Sequence, residues 1–95
     1  KDNYILKVPE ELYTKQDLDI LFMEGCLDYL SPNVGNLKNL RVLSISENPK
    51  LTEIPETICG LENLTVLSVI NTGAEVPQCI LDRDADPSDK FYLVQ

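Results

Sequence analysis

The sequence predicts an α/β fold of the repeat class, a short, curved, right-handed solenoid with parallel strands on its concave face and short helical or 3-10 turns on its convex face. Three observations predict it. Within LKNLRVLSISENPKLTEIPETICGLENLTVLSV, the spacing of Leu37, Leu40, Leu43 and Ile45 returns 24 residues later as Leu61, Leu64, Leu67 and Val69. Apolar and small polar residues alternate in Leu43-Ser44-Ile45 and Leu67-Ser68-Val69, as a strand with one buried face requires. Finally, Ile54-Pro55 and, after a gap two residues shorter, Val76-Pro77 follow those runs, Val8-Pro9 is an upstream copy, and proline holds the residue before it extended.

Taken in order, the first unit is the least regular. Val8-Pro9-x-x-Leu12 leads to Leu18-x-x-Leu21-x-Met23-x-x-Cys26 and then to Leu30-Ser31-x-x-Val34, with Lys15 at the position held later by Leu37 and Leu61. Asp2 through Pro9 aligns with Asn48 through Pro55, so the chain is expected to start in mid-repeat, and the absence of an opening Met is read as the mark of a fragment or of a processed or trimmed chain. The second unit is complete, from Leu37 through Asn48 and Leu51 to Ile54-Pro55-x-x-Ile58. The third runs from Leu61 to Thr72 and on to Val76-Pro77-x-x-Ile80. Prolines at the first helical position, with the carboxylates of PEEL and PETI in the first turn, predict short helical or 3-10 turns there. Asp82, Asp84, Asp86 and Asp89 make 81–89 a solvated acidic loop. Phe91 and Leu93, placed 24 residues after Leu67 and Val69, predict a last strand over 90–94.

These units, LxxLxLxx followed by Asn, Cys or Thr and then by an apolar-Pro or apolar-Ser pair, resemble the leucine-rich repeat family over roughly Ile5 to Ile80. The register Pro9, Ser31, Pro55, Pro77 advances by 22, 24 and 22 residues, closest to the plant-type and intracellular-type repeats. The resemblance implies one domain over 1–95 with about three to four repeats and a concave recognition face. At the turn that leaves each strand, Asn48 can donate to and accept from backbone groups, and Cys26 and Thr72 replace part of that structural ladder.

Composition narrows the function. With 16 acidic and 8 basic side chains the net charge is -8, which opposes nucleic-acid binding. No apolar stretch is long enough for membrane insertion. Histidine is absent, as is a glycine-rich phosphate loop, so no catalytic residue, cofactor or enzyme activity is expected. The D-x-D-x-D run at Asp82 starts like a calcium loop. Pro87 stands where that loop needs Gly, however, and Leu93 where it needs Glu, so no metal site is expected. Cys26, Cys59 and Cys79 are an odd set without CxxC spacing, which predicts free thiols and a cytoplasmic chain. The sequon Asn63-Leu64-Thr65 is the one cue to a secreted or delivered alternative.

If Leu21 and Met23 point inward, Ile20, Phe22 and Glu24 point outward. The equivalent sets are Val42, Ser44 and Ser46, then Val66, Ser68 and Ile70, with Gly25, Glu47 and Asn71 at the strand ends. These outward residues form the predicted partner-binding face, and Phe22 and Ile70 are its strongest members because large apolar groups gain nothing from solvent. The expected function is non-catalytic protein–protein interaction, with a partner carrying a basic surface. Alternatives are the recognition part of a larger enzyme, such as a ubiquitin-ligase-like effector or receptor kinase, and a secreted receptor or inhibitor fragment. Ends without an evident polar cap add self-association as a further expectation.

Overall fold

A computed structural model describes residues 9–25 and 27–95. The readings given above for Asp2, Ile5, Val8 and Cys26 lie outside the described residues. Three 3-10 turns, Glu10–Thr14, Pro32–Asn36 and Glu56–Gly60, alternate with strands β1 (Ile20–Phe22), β2 (Val42–Ser44) and β3 (Val66–Ser68); helix α1 (Gln78–Ala85) then leads to β4 (Tyr92–Val94). The strands form one parallel sheet in the order β1-β2-β3-β4. This α/β arrangement, one strand and one short turn per unit, is compatible with a small leucine-rich-repeat-like solenoid.

Register follows the sequence period. Leu21 lies opposite Leu43, and Leu43 opposite Leu67. The ladder continues past the strand ends through Met23 N donating to Ser44 O (2.8 Å), Ile45 N to Ser68 O (2.9 Å) and Val69 N to Val94 O (2.9 Å). Behind the sheet, Leu37, Leu40, Leu43, Ile45, Leu51, Ile58, Leu61, Leu64, Leu67 and Ile80 lose all solvent contact, stacked by equivalent position from one unit to the next. Each such aliphatic side chain contributes roughly 1.5 to 3 kcal/mol of transfer free energy, and only stacking can bury them because a single unit has no second layer.

Asn48 closes the turn after β2. Its side chain is fully buried; Oδ1 accepts from Leu27 N (2.9 Å), and Nδ2 donates to Met23 O (2.7 Å), Ile45 O (2.8 Å) and Ser46 O (3.3 Å). Thr72, which pairs with Asn48 in a parallel bridge, makes one bond of this kind, to Val69 O (3.1 Å). One hydroxyl replaces one arm of an amide, as its atom count dictates.

The structure corrects four expectations and adds one residue to the core. Pro9, Pro55 and Pro77 cap their turns from outside the first helical position, with extended ψ of 137°, 145° and 146°, so the turns start one residue later. Only Pro32 occupies the first position, behind Ser31, whose hydroxyl accepts from Asn33 N. The acidic loop 81–89 is helical over its first part, because Leu81 through Ala85 belong to α1. That eight-residue helix takes up more chain than a 3-10 turn, so Leu93, not Phe91, faces Leu67, and β4 starts at Tyr92. The shift is two residues and leaves the same side chains on each face. Tyr13 joins the core at 2% exposure, a role no periodic position announced. Burial pushes its phenol pKa up from the usual value, helped by the charge of Glu10. Lastly, Cys59 and Cys79 are not free thiols. They form a disulfide with their Cα atoms 5.9 Å apart, linking the turn before β3 to α1.

Candidate functional site

The sheet has two unlike faces. One covers the core, while the other carries the outward residues in rows that cross the strands, set by the pairing Ile20–Val42–Val66–Tyr92 and, two residues on, Phe22–Ser44–Ser68–Val94. Neighbouring strands lie about 4.8 Å apart, so side chains in a row touch or nearly touch.

Exposure along the rows is uneven. Phe22 and Tyr92 are each 66% exposed, Ile20 51%, Ile70 43% and Val94 39%, whereas Val42 and Val66 on the middle strands are half-buried. Edge strands have a neighbour on one side only, so their large side chains stay open; middle valines are flanked on both sides. The face therefore presents aromatic groups at its two ends and a shallow aliphatic floor between them.

The serines behave differently from the expectation placed on them. Ser44 and Ser46 are both 5% exposed and offer little surface to a partner. Ser44 Oγ donates to Glu24 Oε2 (2.7 Å), Ser46 Oγ and Ser68 Oγ share a 2.6 Å bond, and Ser46 Oγ also accepts from Ile70 N (2.9 Å). These hydroxyls bind one another and the edge of the ladder, so they set the positions of Glu24 and Ile70 rather than meeting solvent. Glu24, Glu47 and Asn71 are exposed, and Asn71 Nδ2 donates to Glu47 Oε1 (3.1 Å). Gly25, Glu47 and Asn71 all take positive φ, at 129°, 63° and 58°, which turns the chain away where the strands end.

Tyr92 and Val94 belong to the same face, and sequence reasoning did not assign them to it. The signal was present. Once a strand is placed near Phe91 and Leu93 pointing inward, alternation puts Tyr92 and Val94 outward.

Charge is arranged around the face, not on its floor. Asp19 and Arg41, just ahead of β1 and β2, form a two-pronged pair in which Arg41 Nη2 donates to Asp19 Oδ2 (2.7 Å) and Nε to Oδ1. The guanidinium hydrogen bond holds the Asp19 carboxyl below its usual pKa and raises that of Arg41. The four carboxylates of the acidic segment have separate protein donors. Asp82 accepts from Gln78, Asp84 from Leu93 N, Asp86 from Ser88 and Asp89 from Arg83. The Ser88 bonds lower the Asp86 pKa. Among the described residues no group of three His, Cys, Asp or Glu side chains is placed to hold a metal ion, and no helix is long and apolar enough to cross a membrane. The arrangement can bury apolar groups and meet charge at the rim.

Comparison with known proteins agrees with the repeat character. No protein-family model matches the chain. Over 40 residues, 42% of this chain, it is 50% identical to a probable LRR receptor-like serine/threonine-protein kinase, RPK1, of Arabidopsis thaliana. The matched part spans 7% of that relative's length. The chain thus carries leucine-rich-repeat-type content, on a four-stranded parallel sheet with one face packed and the other open.

Proposed function

We propose that the chain is a leucine-rich-repeat solenoid that binds another protein through its open sheet face and performs no chemistry of its own. The observation that carries this reading is the set Ile20, Phe22, Ile70, Tyr92 and Val94, large apolar side chains held open on a rigid sheet whose other face is already filled. Buried aromatic anchors typically supply much of an interface's binding energy, so a partner must span the face to cover both Phe22 and Tyr92. The partner that fits brings an apolar segment across the strands and basic groups toward Glu24 and Glu47, in keeping with the net charge of -8.

The paired cysteines favour an oxidising compartment over the cytoplasmic location expected from cysteine spacing, since such bonds persist mainly outside the cytosol. A second reading draws on the similarity to a receptor-like kinase: the chain is the recognition part of a larger receptor, with catalysis elsewhere. Both readings use the same face.

The test is comparative affinity capture by the wild-type chain and by a Phe22→Ala/Tyr92→Ala variant, both shown to be folded by circular dichroism. The inward ladder is untouched by these changes. A protein retained by wild type and reduced at least tenfold by the variant supports the sheet-face reading. Equal recovery by both removes it, and self-association through the sheet edges appears in the same experiment as capture of a second copy. For the charge component, affinity should fall between 50 mM and 500 mM salt, because rim charges are screened within about a Debye length.

A further inference from the structure

Asn63 and Asn39 hold equivalent places in successive units, each exposed in the turn before a strand. Each hands one side-chain N–H to a backbone carbonyl of the preceding unit: Asn63 Nδ2 donates to Lys38 O (2.8 Å), and Asn39 Nδ2 to Gln16 O. Among the described residues, the second amide hydrogen of Asn63 has no further acceptor. What separates the two positions is the residue two places on, Thr65 in one unit and Arg41 in the other. Only Asn63 therefore completes an Asn-x-Thr acceptor sequence.

The surroundings suit a sugar. An open groove of about 770 Å³ runs beside Asn63, lined mainly by polar side chains that include Asp17, Asn39, Arg41, Glu62 and Lys90. It lies ahead of the strands, whereas the exposed apolar side chains lie along and beyond them, so a group attached at Asn63 covers the rim and leaves Phe22, Ile70 and Val94 clear. Four residues before Asn63, Cys59 is joined to Cys79, and the compartment in which such bonds form is also the one in which asparagine side chains receive glycans.

We propose that Asn63 is an N-glycan acceptor whose sugar lies over this polar groove. In the transfer, Nδ2 forms a bond to the anomeric carbon of an oligosaccharide carried on a polyprenyl diphosphate. The carbon–oxygen bond to the diphosphate breaks, the lipid diphosphate leaves, and the amide loses one proton. The inference rests on the oxidising-compartment reading above and is independent of which partner the sheet face takes.

The experiment is expression of the full chain through a eukaryotic secretory pathway, with intact mass, peptide mapping and thiol counting on the same sample. Wild type should carry one glycan at Asn63, removable by an N-glycan amidase. Asn63→Gln and Thr65→Ala should each lose it completely. Arg41→Thr should gain a second glycan, at Asn39, because it copies the Thr65 arrangement into the preceding unit. Secreted chain with Cys59 and Cys79 joined and Asn63 bare overturns the proposal while leaving the compartment reading intact. A glycan on a chain whose thiols are free supports the acceptor and overturns that reading instead. Glycosylated chain that has lost the circular dichroism of its amidase-treated form also overturns the proposal, since the groove would then not accommodate the sugar.

Discussion

The turn after β2 and the segment between β3 and β4 solve one problem, closing a unit onto its neighbour, by opposite means. After β2 a single side chain suffices: Asn48 satisfies three carbonyls and one N–H, inside an aliphatic stack that repeats without exception from Leu37 to Leu67. Between β3 and β4 the closure is distributed. Arg83 donates to Leu61 O (3.3 Å), Leu64 O (2.7 Å) and Asp89 (2.9 Å) and lies 4.4 Å from the centre of the Phe91 ring, while Asp84 accepts from Leu93 N and the Cys59–Cys79 bond ties α1 to the turn behind. The difference teaches that a periodic core needs one well-placed polar residue per turn, whereas an aperiodic connection needs several specific bonds to hold the last strand in register.

The comparison can be broken most severely at Asn48. Asn48→Ala removes the side-chain partner of four backbone groups, each costing roughly 1 to 3 kcal/mol if it stays buried and unpaired, so a net loss of about 3 kcal/mol or more is expected in chemical denaturation. Asn48→Thr should recover part of that, since Thr72 shows what a hydroxyl can do at the same place. If Ala and Thr proved equal, the amide would not be the closing element.

Next in size is the disulfide. It spans a sequence separation of 20 residues, and by loop-closure entropy a bridge of that size stabilises by about 3 kcal/mol. The Cys59→Ala/Cys79→Ala chain should unfold at correspondingly lower denaturant than the oxidised wild type, and reductant should bring wild type down to the same midpoint. A reductant-insensitive wild type would remove the bridge from the account of this segment.

Arg83→Met keeps most of the aliphatic stem and removes the bonds to Leu61, Leu64 and Asp89 together with the contact over Phe91. About 2 kcal/mol should be lost, the range for hydrogen bonds to a charged group. Arg83→Lys should restore little of it, because an ammonium cannot copy the planar fork that reaches two carbonyls and a carboxylate at once. Hydrogen exchange would sharpen the result: β4 amides should lose protection first, with those of β2 unaffected.

The same contrast explains what the sequence made legible. The inward ladder, the parallel strands and the role of Asn48 all follow from period, because a residue repeated at 22 to 24 positions occupies the same environment each time. Tyr13, Gly35 and Cys59 share one repeat position, four residues after Pro9, Ser31 and Pro55, but differ too much in kind to announce a core tyrosine or a disulfide, and Arg83 and Asp84 fall in the aperiodic segment. Their places depend on which distant atoms the folded chain brings near, and nothing local encodes that. The open face falls between these cases. Alternation identified Ile20, Phe22 and Ile70, but Ser44 and Ser46 were withdrawn from it by hydrogen bonds to Glu24, Ser68 and Ile70 that a pattern of outward positions cannot reveal.

The smallest expected effect lies at the strand ends, where Glu47 and Asn71 agree in backbone and differ in residue. Gly25 and Asn71 are residue types that tolerate positive φ, while Glu47 at 63° is not. Its side chain gains an exposed bond from Asn71 Nδ2, which is worth little in water. Glu47→Gly should therefore stabilise the fold by about 0.5 to 1 kcal/mol, and Glu47→Asn by less, measured as an upward shift in melting temperature. Under the proposed function, this exposed carboxylate beside the open face would meet a basic partner. On that account Glu47→Gly raises stability and weakens binding together, most clearly at low salt. A variant that is more stable and binds unchanged would take Glu47 out of the proposed interface.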